Sequence, residues 1–391
     1  MPRSISDLLD DLHDGNISRR RMLQALAAAA VAVPALAVAQ GGTGTRPDSG
    51  RAGGRGRGGG MAQRDTVPLV PPFEPTGWTT VWLDHLNYQC TDYKTAAAFY
   101  ATLMGWKIRS DDGKQCMLDI GDNSGGILIR GGLTAPPPAA ITDAGLGVTR
   151  PPIHAVFDGF AWGISPWDEG KVKAALEKRG LKPVADHRGS DYRAFRFKDP
   201  DGFDVAVTNG TKANRRKAPA NAKLPAPAPF EPTHWNTLYL DHISFEVPDY
   251  RRSAAFYQAL LGWDARPGGG GQATVQIGDG GAVGGAIIRG NAAARAAAAR
   301  GRGGAAAAAA APPPPASSSG VSAAIGHISF GIENWNTERV HDELKKRDVV
   351  YITKEGAHEP RPDMTGTLES FHVPDAMGWD LQIGNKIAPG R

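Results

Sequence analysis

Short stretches of alternating apolar and polar residues recur along this chain, each followed by a stretch with apolar residues every three or four positions. Leu86-Asn87-Tyr88-Gln89 has the period of two expected of a half-buried strand. Beyond it, Tyr93, Ala97, Tyr100, Ala101 and Met104 fall on one helical face, which predicts a helix starting at Asp92-Tyr93. Gly105 closes that helix, since a left-handed cap favours a residue without a Cβ. Met117 to Ile120 and Gly126 to Ile129 then read as strands. The same series starts again at Ile243-Ser244-Phe245-Glu246 and reaches its helix end at Gly262. Ala194 to Phe197 and Phe203 to Val207 supply the strands of a more divergent unit. Each unit reads βαβββ.

The recurrence is one of sequence as well as pattern. Phe73-Glu74-Pro75-Thr76, Leu83-Asp84-His85, Asp92-Tyr93, Ala98-Phe99-Tyr100 and Gly105-Trp106 all return 157 residues later, as Phe230-Glu231-Pro232-Thr233, Leu240-Asp241-His242, Asp249-Tyr250, Ala255-Phe256-Tyr257 and Gly262-Trp263. A second unit follows in each half, beginning at Ile153-His154 and at Gly326-His327. Trp167, Val172, Leu176 and Lys178-Arg179 match Trp335, Val340, Leu344 and Lys346-Arg347, and Gly202-Phe203-Asp204-Val205 matches Gly378-Trp379-Asp380-Leu381. A single unit leaves one sheet face uncovered, so two must share a concave surface, and that cleft is the natural ligand site. The expected fold is α+β, with four βαβββ modules paired into two domains whose curved mixed sheets each enclose a cleft. Domain 1 spans 80–210 (modules 80–132 and 150–210) and domain 2 spans 238–386 (modules 238–290 and 322–386), with 211–236 as linker.

Composition agrees with two domains: 391 residues, 41% of them apolar, can bury two cores. The formal charge of +4 sits largely in the N-terminal arginines and in Arg51 to Arg57, so it does not imply a nucleic acid partner. Residues 40–72 form a Gly/Arg-rich linker, and 291–320 an Ala/Pro-rich insertion ended by Pro312 to Pro315. Cys90 and Cys116 are replaced by Val247 and Ala273 in the other half, which reads as two buried hydrophobes rather than a disulfide or a metal ligand. Phe99, Tyr100, Trp106 and their repeats sit at helix-packing spacing and read as core. Residues 1–39 carry Ser18-Arg19-Arg20-Arg21-Met22-Leu23, an apolar run from Ala25 and the small-residue pattern Ala37-Val38-Ala39. This resembles a twin-arginine signal peptide, which implies the twin-arginine export machinery as a partner, a periplasmic or secreted protein, and no stable membrane span after cleavage.

A strand histidine, a downstream Phe-Tyr, Leu-x-Gly-Trp at a helix end and the closing hairpin Asp199-Pro200-Asp201-Gly202 together resemble the vicinal-oxygen-chelate superfamily. That superfamily includes glyoxalase I, extradiol ring-cleavage dioxygenases, fosfomycin-modifying enzymes and metal-free bleomycin-binding proteins. In its enzymes, the resemblance implies, a divalent metal (Fe, Zn, Mn or Ni) is held in the cleft by side chains of the first and last strands of both units. Carried onto this chain, those positions offer His242, His327 and Gln382 in the second half, and more weakly His85 and His154 in the first, where Ala206 replaces Gln382. Imidazole suits a borderline divalent ion, whereas a neutral amide oxygen binds it less tightly than a carboxylate would.

Two further residues are candidates for acid/base work. His372 lies on the strand before the closing hairpin, with Arg196 as its counterpart, and is otherwise expected to be a surface histidine. Glu246 lies four residues beyond His242 and shares its face if the strand is unbulged. Two function classes follow. One is an exported metal-dependent enzyme, extradiol-dioxygenase-like or glyoxalase-like, that acts on a small oxygen-chelating molecule in the C-terminal cleft. The other is a metal-free protein of the bleomycin-resistance type that binds or sequesters a small-molecule ligand.

Overall fold

The structure is a computed structural model that describes residues 67–122, 124–134, 141–143, 147–189, 191–215, 218–219, 222–291 and 323–389. The signal segment, the Gly/Arg-rich linker as far as residue 66 and residues 292–322 of the insertion lie outside the described residues.

In the first half β1 (Thr79–Cys90), α1 (Tyr93–Met104), β2 (Lys107–Asp111), β3 (Gln115–Ile120) and β4 (Gly125–Arg130) form one unit. After β5 (Ile141–Asp143) and β6 (Val148–Arg150) come β7 (Ala155–Ser165), α2 (Glu169–Lys178), β8 (Val184–Ala185), β9 (Ala194–Lys198) and β10 (Asp204–Thr208). The second half repeats this with β11 (Thr237–Val247), α3 (Tyr250–Leu261), β12 (Asp264–Gly268), β13 (Gln272–Ile277) and β14 (Gly284–Gly290). It continues with β15 (Ala324–Ile332), α4 (Thr337–Lys346), β16 (Tyr351–Thr353), β17 (His358–Glu359), β18 (Arg361–Thr365), β19 (Leu368–Pro374) and β20 (Asp380–Gly384).

Each half builds one mixed eight-stranded sheet, β2-β3-β4-β1-β7-β10-β9-β8 and β12-β13-β14-β11-β15-β20-β19-β18. The two units of a half meet where their first strands pair antiparallel, β1 with β7 and β11 with β15. The fourth unit departs from the repeat. Between its helix and its hairpin the spacing to the second unit grows from 168 to 176 residues. The added length supplies β16 and β17, with β18 on the sheet edge that β8 holds in the first half; β16 pairs with β6 of the first half, giving a separate four-stranded sheet β17-β16-β6-β5.

Helix α1 starts at Asp92, whose carboxylate accepts the N–H groups of Lys94 and Thr95, both at 3.1 Å. It ends at Gly105 with φ 67°, where a Cβ would also lie 2.2 Å from the Trp235 carbonyl oxygen. Gly262 repeats this with φ 69° against the Trp78 carbonyl. Each helix end is therefore pressed against the backbone of the opposite half, and only glycine fits there.

That reciprocity runs through the molecule. Thr76 Oγ1 donates to the Leu260 carbonyl at 2.7 Å, and Thr233 Oγ1 to the Leu103 carbonyl at 2.5 Å. Trp106 Nε1 donates to Thr237 Oγ1 at 2.9 Å, and Trp263 Nε1 to Thr80 Oγ1 at 3.1 Å. The repeated Phe-Glu-Pro-Thr segments are thus arms that cross between the halves, with Phe73 against Phe256 and Phe230 against Phe99, each pair 5.7 Å between ring centroids. The buried apolar residues of both halves form one continuous cluster. Cys90 and Cys116 are buried free thiols within it, and burial pushes both up to about 12.

The two closing hairpins clamp this core. Asp375 accepts hydrogen bonds from Tyr88 at 2.5 Å and Tyr100 at 2.8 Å, both from the first unit. Asp199 accepts one from Tyr257 of the third unit at 2.5 Å, together with the N–H groups of Asp201 and Phe203. Burial raises both carboxyls, Asp199 to about 6 despite its donors. The folded state holds this proton more tightly than the unfolded chain, so Asp199 contributes stability in full below the ordinary aspartate value of 3.8 and loses it as pH rises through about 6. Holding the proton that much more tightly corresponds to about 3 kcal/mol. In Asp199→Asn, urea denaturation at a series of pH values should show the decline between pH ~4 and ~6 reduced by about that amount. An unchanged decline would remove Asp199 as its source.

Candidate metal centre

The recurring Leu-Asp-His tripeptide makes a bulge in the first strand of each half. In β11, Leu240 pairs with Phe330 and His242 with Ser329, so one residue of β15 faces two of β11. This turns both Asp241 and His242 into the cleft. The Asp241 carboxylate accepts the Nδ1 proton of His242 at 3.0 Å, which leaves the lone pair on Nε2. Ser329 Oγ donates to the same carboxylate at 3.1 Å, and Lys386 Nζ lies 2.5 Å from its other oxygen. Burial alone would raise Asp241, but the His242 hydrogen bond and the neighbouring charges bring it down to about 2.

Strand β15 sets His327 opposite Ser244, two residues along from the His242 pairing. The two imidazoles face each other with Nε2 atoms 2.9 Å apart. Burial, reinforced by His242 and His372, pushes His327 well below the ordinary histidine range, so it is a neutral ring with a lone pair to offer. Gln382 of β20 pairs with Ser329 on one side and with His372 of β19 on the other, so it shares their face. Its Nε2 donates to Ser370 Oγ at 2.8 Å, while its buried Oε1 has no hydrogen-bond partner.

His372 is 3% exposed, which corrects the expectation of a surface histidine. The inward face of β19 buries it, and its Nδ1 lies 3.1 Å from each oxygen of Asp380. Asp380 also accepts from Tyr351 Oη at 3.0 Å and is ion-paired with Arg150 of the first half at 3.7 Å. Burial would raise this carboxyl, but His372 draws it down to about 2. His327, His372 and Asp380 present ligand atoms that all lie within 4.8 Å of one another. Asp380 is absent from the residues the cleft pattern nominates, although the match of Gly-Phe-Asp-Val to Gly-Trp-Asp-Leu contains it. Glu246 does share the His242 face, because β11 is regular against β14 from Ile243 to Val247. Its Oε1 lies 3.6 Å from where a Cβ on Gly326 would be, beside His327.

The first half has a different cleft. His85 keeps its aspartate, with Nδ1 2.6 Å from Asp84 Oδ1. His154 does not join it. His85 pairs with Ala161, whereas His154 precedes β7 and lies beyond its far end, roughly 20 Å along the strand. The residue in register with His327 is Gly159, paired with Asn87 as His327 is with Ser244. The constant spacing of 168 residues from Trp167 to Trp335 already carries this equivalence, and His154 was matched to His327 only because both open a unit. Gln382 and His372 are replaced by Ala206 and Arg196, which pair with each other as Gln382 and His372 do.

In place of converging lone pairs this cleft holds charges. Arg215 donates to Asp119 at 2.9 Å and sits 3.9 Å from Asp84, while Arg109 binds Asp119 through two hydrogen bonds of 2.6 and 2.5 Å. The counterpart of Asp119 in the second half is the neutral Gln276. A guanidinium of the chain itself thus provides the positive charge in the first cleft.

The family model of the Glyoxalase/Bleomycin resistance protein/Dioxygenase superfamily matches residues 82–207 and 239–383. The chain belongs to that superfamily, with one copy of the domain in each half. Solved structures similar to it include a variant of homoprotocatechuate 2,3-dioxygenase from B. fuscum, at 14% identity and TM-score 0.49 over 83% of this chain and 76% of that one. The homoprotocatechuate 2,3-dioxygenase of Arthrobacter globiformis is 15% identical with TM-score 0.48 over 83% and 84%. The Mn(II)-bound glyoxalase of Novosphingobium aromaticivorans is 13% identical with TM-score 0.49 over 78% and 82%. Likeness at this level says nothing about substrate. No curated protein matches the chain.

The donors of the second cleft fit a borderline divalent ion: two imidazoles aimed at each other, an amide oxygen without a partner and an ionised carboxylate. The first cleft is neutralised from within. Removing its cation leaves Asp84 and Asp119 buried together, so Arg215→Ala should destabilise the protein by about 3–5 kcal/mol in urea denaturation, and Arg215→Lys by less. A loss under about 1 kcal/mol for Arg215→Ala would mean that Arg109 suffices.

Proposed function

We propose that the C-terminal half is a divalent-metal-dependent enzyme, extradiol-dioxygenase-like or glyoxalase-like, acting on a small molecule that presents two vicinal oxygens. The 2.9 Å approach of His242 Nε2 to His327 Nε2 carries this reading, since two imidazoles held that way aim their Nε2 atoms at one point. His242, His327 and Gln382 would hold the ion, with Asp380 as a further oxygen donor. When bound, it would supply Lewis acidity to the substrate oxygens.

The chain's own groups do the rest. Asp241 keeps the Nδ1 proton of His242 and so fixes which nitrogen faces the cleft. His372 is held between two carboxylates, Nδ1 3.1 Å from Asp380 and Nε2 3.8 Å from Asp363, and would relay a proton at the cleft between them. Glu246, on the same face, is a second group able to move one. The export signal read from residues 18–23 belongs to this proposal, because the twin-arginine route carries proteins folded around a cofactor. Arg19→Lys/Arg20→Lys should leave the protein in the cytoplasm on cell fractionation, and continued export would remove this part of the reading.

One observation favours a second reading. Without an ion, one imidazole can donate its Nε2 proton to the other at 2.9 Å, which closes the network in a metal-free binding protein. Elemental mass spectrometry separates the two. Protein purified without chelator should hold about one equivalent of a single transition metal, lost in His242→Ala/His327→Ala, and should turn over catechols or thiol-aldehyde adducts. No metal in either sample, and none taken up from Fe(II), Mn(II) or Zn(II) by a folded protein, leaves the binding protein.

A further inference from the structure

The one element that breaks the fourfold repeat also builds a cavity. Because the added strand β16 pairs with β6 outside both eight-stranded sheets, with Ile352 opposite Thr149, a space of about 570 Å³ lies between the segment before β7 and the hairpin joining β19 to β20. β8 and β18 hold equivalent edges of the two large sheets, Val184 opposite Arg196 and Arg361 opposite His372, so β16 is an addition peculiar to the fourth unit. The His154 N–H donates to the Met377 carbonyl at 2.8 Å and ties the two walls together. The volume falls within the range of small-molecule sites, about 300–1,000 Å³.

We propose that this cavity binds a small aromatic acid beside the histidine cluster. Pro152, Ile352 and Met377 give it apolar walls suited to a flat ring. Its polar lining is mainly basic, with Arg150, His154 and His358. Of the acids there, Asp348 is bonded to His358 at 3.0 Å, and Asp375 is taken by Tyr88 and Tyr100. Arg150 and Tyr351 line the cavity and also contact Asp380, at 3.7 and 3.0 Å, so a bound acid lies one side chain away from the carboxylate that orients His372. Arg150 comes from the first half, which makes the site of the second half dependent on both. The proposal deepens the function given above and rests on it for the chemistry, though not for binding.

The test uses 2-naphthoate, titrated by calorimetry into the purified full-length protein with metal content measured in parallel. Wild type should bind one equivalent. Ala376→Trp should weaken binding at least 20-fold by filling the cavity, and Ile352→Trp, at the exposed rim where folding is unaffected, should also block it. Arg150→Gln should weaken it about tenfold through loss of one charged hydrogen bond. Metal content should stay unchanged in the two tryptophan variants. Naphthoate binding within twofold of wild type in both tryptophan variants, or no binding by wild type at 1 mM, overturns the proposal. Binding retained by a metal-free His242→Ala/His327→Ala protein supports the cavity while the metal reading is judged on its own measurement.

Discussion

Everything in this protein is hung on a reciprocal exchange of buried hydrogen bonds between its halves. The hairpin carboxylates Asp199 and Asp375 each accept hydrogen bonds from tyrosines of the opposite half besides those of their own hairpin backbone, and each inter-half tryptophan is satisfied by a threonine of the other. A buried polar group left without its partner costs more than a made bond contributes, so these pairs specify one mutual placement of the sheets. One continuous apolar core follows from that placement. So does the position of the first cleft, because Tyr88 and His85 lie on the same strand, β1.

From one ancestral unit the two clefts solve the same electrostatic problem differently. Both keep an aspartate that orients a histidine. The second sets His327 and the unpaired Gln382 oxygen near it, together with Asp380 and with His372 held between Asp380 and Asp363. The first has lost both of these histidines and the glutamine and gained Asp119, whose charge is met by Arg109 and Arg215. A guanidinium cannot be exchanged for a substrate oxygen, whereas an ion can share its coordination sphere. Duplication thus left one cleft suited to holding the assembly together and one suited to chemistry.

The asymmetry goes further in the fourth unit, where a longer connection sends β16 across to the first half. That crossing brings Arg150 and Tyr351 to Asp380, and through it to His372. The centre of the second half is thereby completed by a residue of the first.

Much of the architecture is written locally and can be read without coordinates. The spacing of 157 residues, the glycine-closed helices and the strand histidines are encoded by neighbours in sequence, and they were enough for four βαβββ modules in two pairs and for placing His242 and His327 on facing strands. Register was legible where a constant offset was followed and lost where it was not, as with His154 in place of Gly159. Burial of His372, the role of Asp380 and the guanidinium of Arg215 depend on contacts between residues far apart in the chain, which no periodicity encodes. The bulge that turns both Asp241 and His242 inward was decided by the pairing of β11 with β15, and the crossing of each Phe-Glu-Pro-Thr arm to the other half by the packing of the two halves. Hydrophobic period selects elements, whereas the pairing of buried charges is set by which elements meet.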